Sequence, residues 1–355
     1  MPAIPAASSQ NDHAPKSQSS DIESSGDSCR SVLIAGCGYV GHRAARAWTA
    51  RGITVWAITR NEAKAEQLRS EGILPIVLNL GSGDEWPALP DVDVVVWSVG
   101  FERSSTSSRS SSEDRHATWI AGLNRLLSSL PERSSPRRIL YTSSTGVYGD
   151  GDGQDVDEQT AVNPQSEGGV ACVRAEGILQ EYARRLTNGQ PTTDHVYILR
   201  LAGIYGPDRL LRRVAELRAG TPLTSEPDDW LNLIHVDDAV RMIDYLATIN
   251  PPAVWNDGPS DQQTAGARVM NVAAAISVTR RTYYSILAEL VSAPAPVFAA
   301  PDNGDTAGSS HRGRGGNRRV VSQVRSQLSV EFQYDDCMAG LSHAVRESQT
   351  SVNRN

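Results

Sequence analysis

A chain of 355 residues with a formal charge of −7 is long enough for a doubly wound domain plus a smaller appended one, and too acidic to offer a general nucleic-acid surface, which needs clustered Lys and Arg. No apolar run approaches the ~18 residues of a membrane span, and the four scattered cysteines, Cys29, Cys37, Cys172 and Cys337, suit neither a disulfide framework nor a metal knuckle. A cytoplasmic protein without a metal centre, a membrane partner or a nucleic-acid partner is expected.

Residues 1–30 are rich in Ser, Pro, Ala and Asp and hold almost no large apolar side chain, so they read as a disordered leader. They lack the basic start and apolar stretch of a secretory signal, and their acidity argues against a transit peptide. From residue 31 onward, Val/Ile/Leu-rich runs at 32–35, 54–58, 74–78, 92–97, 138–142 and 196–199 alternate with helical repeats. That alternation predicts a Rossmann-type doubly wound α/β fold, its parallel sheet covered on both faces.

The first strand feeds straight into Gly36-Cys37-Gly38-Tyr39-Val40-Gly41, followed by a helix with Val40, Ala44, Ala47 and Trp48 at helical spacing and Gly52 at its end. In that setting G-x-G-x-x-G reads as a dinucleotide fingerprint. Gly36 permits the tight turn, Gly38 admits a pyrophosphate to the backbone amides, and Gly41 lets the helix pack on the strand, with Tyr39 and Val40 in the same cofactor-binding turn. After the second strand stands Thr59-Arg60-Asn61. NAD binders place Asp or Glu about 20 residues past the glycines, whereas Arg60 without a carboxylate favours the 2′-phosphate of NADP(H). The plainer alternative is a solvent-facing Arg at a helix start. Asn79 and Leu80 after the third strand, and Ser98 and Val99 after the fourth, complete the expected cofactor-binding set.

Residues 104–112 are nearly all Ser, Thr and Arg and read as a mobile surface insertion, ahead of a helix with Trp119, Leu123, Leu126, Leu127 and Leu130 on one stripe. Beyond Arg200 the elements shorten: a strand at 231–235, a helix at 237–248, a strand at 269–273 and a helix at 279–291 are predicted. The expected division is a dinucleotide-binding domain over 31–202, to which 231–275 returns, and a substrate-side C-terminal region over 203–230 and 276–345. Within that region 301–318 reads as a disordered loop, and 346–355 as a frayed tail. Arg312, Arg314, Arg318 and Arg319 in this Gly/Ser/Asn-rich stretch resemble an RGG-type segment, so RNA binding stands as a weak alternative to a solvated loop.

Four blocks in register carry a family likeness: the glycine turn, Tyr141-Thr-Ser-Ser-Thr-Gly-Val-Tyr-Gly149, Arg200-Leu-Ala-Gly-Ile-Tyr-Gly-Pro207 and Asn232-Leu-Ile-His-Val-Asp-Asp238. Together they resemble the extended short-chain dehydrogenase/reductase superfamily, NAD-dependent epimerase/dehydratase type. Within it the chain is most similar to the YeeZ-like group, whose pattern 269–272 and 321–328 also match. The resemblance implies hydride transfer assisted by a Tyr-x-x-x-Lys pair and a Ser or Thr. Ser144 matches the Ser/Thr position, although Ser143 and Ser144 could equally cap a strand end. The pair itself is missing: Gly168 falls at the Tyr position and Cys172 at the Lys position.

Tyr148 is the first substitute acid/base, with a packed aromatic as its alternative, and Glu167 and Cys172 are weaker ones. His235 is expected in a structural strand-to-helix corner with Asp237 as cap. Where nucleotide-sugar members carry a substrate-contacting Asn, this chain has Gly203. Arg209, Arg212 and Arg213 follow on an expected helix from about residue 208, facing either a phosphate or solvent. Two functional readings are open. One is an NAD(P)-dependent oxidoreductase or epimerase/dehydratase-type enzyme acting on a small carbonyl or alcohol, such as an aldehyde, ketone or sugar derivative. The other is a non-catalytic NADP(H)-binding sensor. Related proteins pair through a four-helix bundle, which implies a homodimer.

Overall fold

The computed structural model describes residues 29–100, 112–133, 135–187, 194–209, 211–248, 267–299 and 317–352. The opening half runs Ser31–Ala35 (β1), Tyr39–Ala50 (α1), Thr54–Thr59 (β2), Glu62–Ser70 (α2), Leu74–Val77 (β3), Val94–Trp97 (β4), Ser112–Ser129 (α3), Arg138–Ser144 (β5), Asp155–Val156 (β6) and Glu167–Thr187 (α4). The rest runs His195–Leu201 (β7), Gly203–Tyr205 (β8), Leu211–Arg218 (α5), Trp230–Leu231 (β9), Leu233–His235 (β10), Val236–Thr248 (α6), Arg268–Val272 (β11), Val278–Thr279 (β12), Arg280–Leu290 (α7), Arg319–Val320 (β13) and Cys337–Val352 (α8).

Seven parallel strands form the central sheet in the order β11-β7-β5-β4-β1-β2-β3, which is the expected Rossmann-type doubly wound arrangement. The chain winds outward from β1 in one direction, then returns through β4 in the other. That reversal opens a crevice beyond the carboxyl ends of β1 and β4, where ligands bind in such sheets. Central strands are apolar on both faces because both are covered: Val32, Leu33, Ile34, Val94 and Val95 are fully buried. Helix α1 packs on α6 and α3 packs on α4, and the first contact is fastened by Trp48, whose Nε1 donates to Asp244 Oδ1 at 2.7 Å. A second, smaller core gathers Tyr205, Leu217, Tyr283, Leu287 and Leu341 between α5, α7 and α8.

Several boundaries differ from the sequence expectation, each for a local physical reason. Cys29 and Arg30 belong to the fold rather than the leader: Cys29 is buried, and the Arg30 amide donates to Asp93 Oδ2 at 2.9 Å. In α1 the buried alanines are Ala44 and Ala45, while Ala47 is exposed. Strand β4 starts at Val94 rather than 92, because the Val92 carbonyl accepts from the guanidinium groups of Arg133 and Arg137 instead of from a ladder. The expected strand at 231–235 is two, split at Asn232, whose side chain donates to the Arg318 carbonyl and accepts from the Val320 amide. Helix α5 begins at Leu211 because Asp208 sits in the left-handed region at φ 65°.

The C-terminal expectations change as well. Helix α8 runs through Val352 where a frayed tail was expected, held by buried Ser348, whose hydroxyl accepts from the Asp208 amide at 2.9 Å. Arg318 is buried and Arg319 pairs with Asp155 through two 2.6 Å bonds, so neither belongs to a solvated basic loop. Arg312 and Arg314, the 104–111 part of the Ser-rich insertion and residues 1–28 of the leader lie outside the described residues.

A Cβ at Gly41 would stand 2.5 Å from the Gly36 carbonyl oxygen and 3.2 Å from Ile34 Cγ2. Gly41→Ala is therefore expected to lower stability by about 1–3 kcal/mol, the usual cost of overpacking, read as an earlier urea midpoint by circular dichroism.

Candidate active site

The turn between β1 and α1 is pressed against the exit of β4. Gly36 adopts φ 92°, and a Cβ there would lie 2.5 Å from the carbonyl of Ser98 and the amide of Val99. The Ser98 amide donates to the Ala35 carbonyl at 2.7 Å, and the Val99 carbonyl accepts from Trp119 Nε1 at 3.0 Å, so this wall is fixed from both sides. Gly38 is the opposite case: a Cβ there would meet nothing within 4 Å. Packing does not demand a glycine at that position, whereas an incoming diphosphate would. Gly38 is also the N-cap of α1, with no side chain capping the helix and no acidic residue in its first turn, so the start of the helix keeps its attraction for an anion. Val40 is buried beneath this turn.

Tyr39 faces the other way. Its hydroxyl donates to the Pro207 carbonyl at 2.7 Å, and its ring lies under the guanidinium groups of Arg43 at 4.0 Å and Arg209 at 4.9 Å. Tyr39 thus ties the dinucleotide turn to the loop after β8, and burial pushes its phenol up to about 12. Arg60 stands exposed after β2, beside Asn61, which caps α2 by accepting from the Lys64 amide at 3.1 Å. Asn79 shapes the turn after β3 by accepting from the Gly81 amide, and the Leu80 carbonyl presses on Gly122. The expected cofactor positions Gly36, Ser98 and Val99 are in contact; Arg60, Asn79 and Leu80 occupy the ends of the neighbouring strands.

Ser144 ends β5, where its Oγ accepts from the Gly146 amide at 3.1 Å and caps a short 3-10 turn over Thr145–Tyr148. The capping role is real, and it leaves the hydroxyl proton free to be donated. Beneath the turn lies a buried polar chain. Arg200 grips Glu176 at 2.8 and 3.1 Å, Ser143 donates to Glu176 at 2.6 Å, and Arg200 donates to the Tyr148 hydroxyl at 2.9 Å. The Tyr148 proton goes to Asn271 Oδ1 at 2.7 Å. Burial holds this phenol above its ordinary range despite the neighbouring Arg200. Tyr148 therefore sits as a packed, doubly bonded aromatic, and proton exchange there would require breaking the chain.

The positions left by the missing pair lie on α4. A Cβ at Gly169 would stand 2.7 Å from the Gly146 carbonyl oxygen, so the first turn of α4 packs directly on the Ser144 turn. Gly168 adds no side chain there, and Glu167 is exposed at the helix start. Cys172 is buried, with its thiol pushed up by that burial, which fits a core filler and not a nucleophile. Sequence reasoning missed Asn271, Glu176 and Arg318 as members of this site. The local signals were that Arg200 opens one of the recognisable blocks and that Asn271 lies within another, 269–272.

His235 is fully buried at the β10–α6 corner, and its Nδ1 accepts from the Asp237 amide at 3.2 Å. That bond leaves the proton on Nε2, which faces His343 Nδ1 at 3.2 Å. The ligand atoms of His235, Asp237 and His343 come within 4.8 Å of one another, yet both ring nitrogens of His235 are already engaged. Burial, then His343 and Arg43, depress His235 from 6.5 to about 3. An unfolded chain binds this proton below 6.5 while the folded one refuses it until about 3, so stability is lost as pH falls through that window. Acid titration of the urea midpoint is expected to show up to about 1.4 kcal/mol per pH unit from this group, a slope that His235→Asn removes.

A doubly wound sheet with an uncapped glycine turn at its reversal is the architecture of dinucleotide-binding folds. The chain belongs to the NAD dependent epimerase/dehydratase family, whose model matches residues 32–258. It is 27% identical over 314 residues to the protein YeeZ of Escherichia coli K12, a match covering 86% of this chain and 97% of YeeZ. Similar solved structures include a functionally unknown conserved protein from Silicibacter pomeroyi (TM-score 0.63, 24% identity, 90% and 98% of the two chains). Another is UDP-glucuronic acid 4-epimerase from Bacillus cereus in complex with NAD (TM-score 0.65, 16% identity, 90% and 99%). No helix among the described residues is long and apolar enough to cross a membrane.

Proposed function

We propose that the chain binds a nicotinamide dinucleotide across the β1/β4 crevice, NADP(H) in preference to NAD(H), and uses it on a small carbonyl or alcohol whose oxygen is oriented by Ser144. The observation that carries this is the empty space at Gly38 over an uncapped helix start. When bound, the coenzyme supplies or accepts a hydride. The amides that open α1 would hold its diphosphate, the Ser98–Val99 backbone would wall the crevice, and Arg60 would meet a 2′-phosphate. Ser144 keeps a proton to donate to the substrate oxygen while the Gly146 amide fixes its rotamer.

The substrate class is set partly by exclusion. A side chain at Gly203 would press on the Asn232 carbonyl, which lies 2.9 Å from an ideal Cβ. An Asn there, the substrate contact of nucleotide-sugar members, has no room. This favours a smaller aldehyde, ketone or sugar derivative. The second reading, a coenzyme-binding sensor without turnover, draws on one observation: Tyr148, the first substitute for the missing tyrosine, has its proton committed to Asn271.

In a fluorescence titration, NADPH is expected to bind more tightly than NADH, and Arg60→Ala to erase most of that ratio. Equal affinity for the two coenzymes, or a ratio untouched by the substitution, would sink the preference. A screen of aldehydes, ketones and sugar nucleotides, followed by nicotinamide absorbance, then separates enzyme from sensor. Turnover that falls about 10²–10³-fold in Ser144→Ala, as for loss of one oxyanion donor, supports the enzyme.

A further inference from the structure

A buried guanidinium is costly unless a carboxylate accompanies it. Arg200 follows that rule through Glu176; Arg318 does not. Arg318 is 5% exposed. Its guanidinium donates to the carbonyls of Gly149 and Thr145, the latter at 2.7 Å, and its Nε has no hydrogen-bond partner. Among the described residues no carboxylate bonds it. Asp150 attracts it electrostatically, and Asp150 Oδ1 accepts from the amides of Asp152 and Asn317.

The two carbonyls that Arg318 holds bracket the 3-10 turn, and one belongs to the residue directly after Ser144. The backbone on either side of Arg318 is pinned too. The Asn317 carbonyl accepts from the amides of Gly151 and Gly153, and the Arg318 carbonyl accepts from Asn232 Nδ2 at 2.9 Å. The charge is therefore anchored in place against the turn. Its opposite number on α4 is Cys172, a neutral thiol where the family resemblance implies a lysine.

We propose that Arg318 is a positioning residue that clamps the Ser144 turn and supplies the fixed positive charge absent at Cys172, so that the site favours a substrate oxygen that carries or gains negative charge. This rests on Ser144 as the hydroxyl that orients the substrate. A carboxylate oxygen, or a carbonyl oxygen as hydride reaches its carbon, meets that description.

A thiol placed at position 144 reads the local field without knowledge of the substrate. In Ser144→Cys, the rate of alkylation by iodoacetamide is followed against pH. The four native thiols are buried, and burial pushes Cys29 and Cys37 up to about 11, Cys337 to about 12 and Cys172 upward, so they stay silent. The titratable and charged groups around the turn are Arg318, the mutually neutralised Arg200 and Glu176, Tyr148, Tyr141, Cys172 and Asp150.

Adding Arg318→Gln keeps donors for the two carbonyls and removes the charge. The thiol's proton affinity is then expected to rise about tenfold, one pH unit, as for loss of a nearby unit charge, and Arg318→Lys to restore it. Coincident titration curves for the Arg and Gln forms overturn the proposal. If the Gln form does not fold by circular dichroism, Ser144→Cys alone decides: titration at or above the ordinary ~8.5 of a thiol overturns it, and titration below supports it. Coenzyme fluorescence on the same proteins reports separately on the dinucleotide reading, so failure there is distinguishable from failure here.

Discussion

The approach of the β1–α1 turn to the exit of β4 sets the rest of the molecule. With 2.5 Å between an ideal Cβ at Gly36 and the Ser98–Val99 backbone, only a residue without a side chain closes the turn, and closing it aims the first amides of α1 into the crevice. Gly41 lets the helix lie close enough to keep that aim. Gly38 then leaves the space in front of it empty. Close contact on two sides and vacancy on the third leave room in front of the helix start, the arrangement that dinucleotide turns use for an anion.

The second constraint is electrostatic and lies one strand farther along. Glu176, Arg200, Tyr148 and Asn271 form a buried chain with donors and acceptors matched, which makes the floor under Ser144 rigid and commits the Tyr148 phenol to structure. Removing either ion would leave the other uncompensated in the interior, typically a loss of about 3–5 kcal/mol. With the floor so occupied and α4 contributing Gly168 and Cys172, the proposed chemistry would rest on the Ser144 hydroxyl, the field around it and a coenzyme.

Much of this was readable from the chain alone because it depends on neighbours in sequence. Period and Val/Ile/Leu density placed the six principal strands, and glycine spacing placed the dinucleotide turn. What escaped depends on partners far along the chain. Asn232 splits a strand because residues 318 and 320 bond its amide. Arg318 read as part of a basic loop because its neighbours are Arg, Asn and Gly, and only the folded chain brings it against the carbonyls of 145 and 149. Tyr148 looked reactive in a motif and proves occupied once Asn271, from the far edge of the sheet, is beside it.

The loop after β8 joins α1 to α8. Pro207 accepts from Tyr39 near the start of the chain, and Asp208 donates to Ser348 on the last helix. During synthesis the opening βαβ unit emerges before the loop that roofs its turn, and that loop gains its bond to Ser348 only once α8 has emerged. The floor of the crevice is thus built from early segments, and its roof is tied down from a much later one.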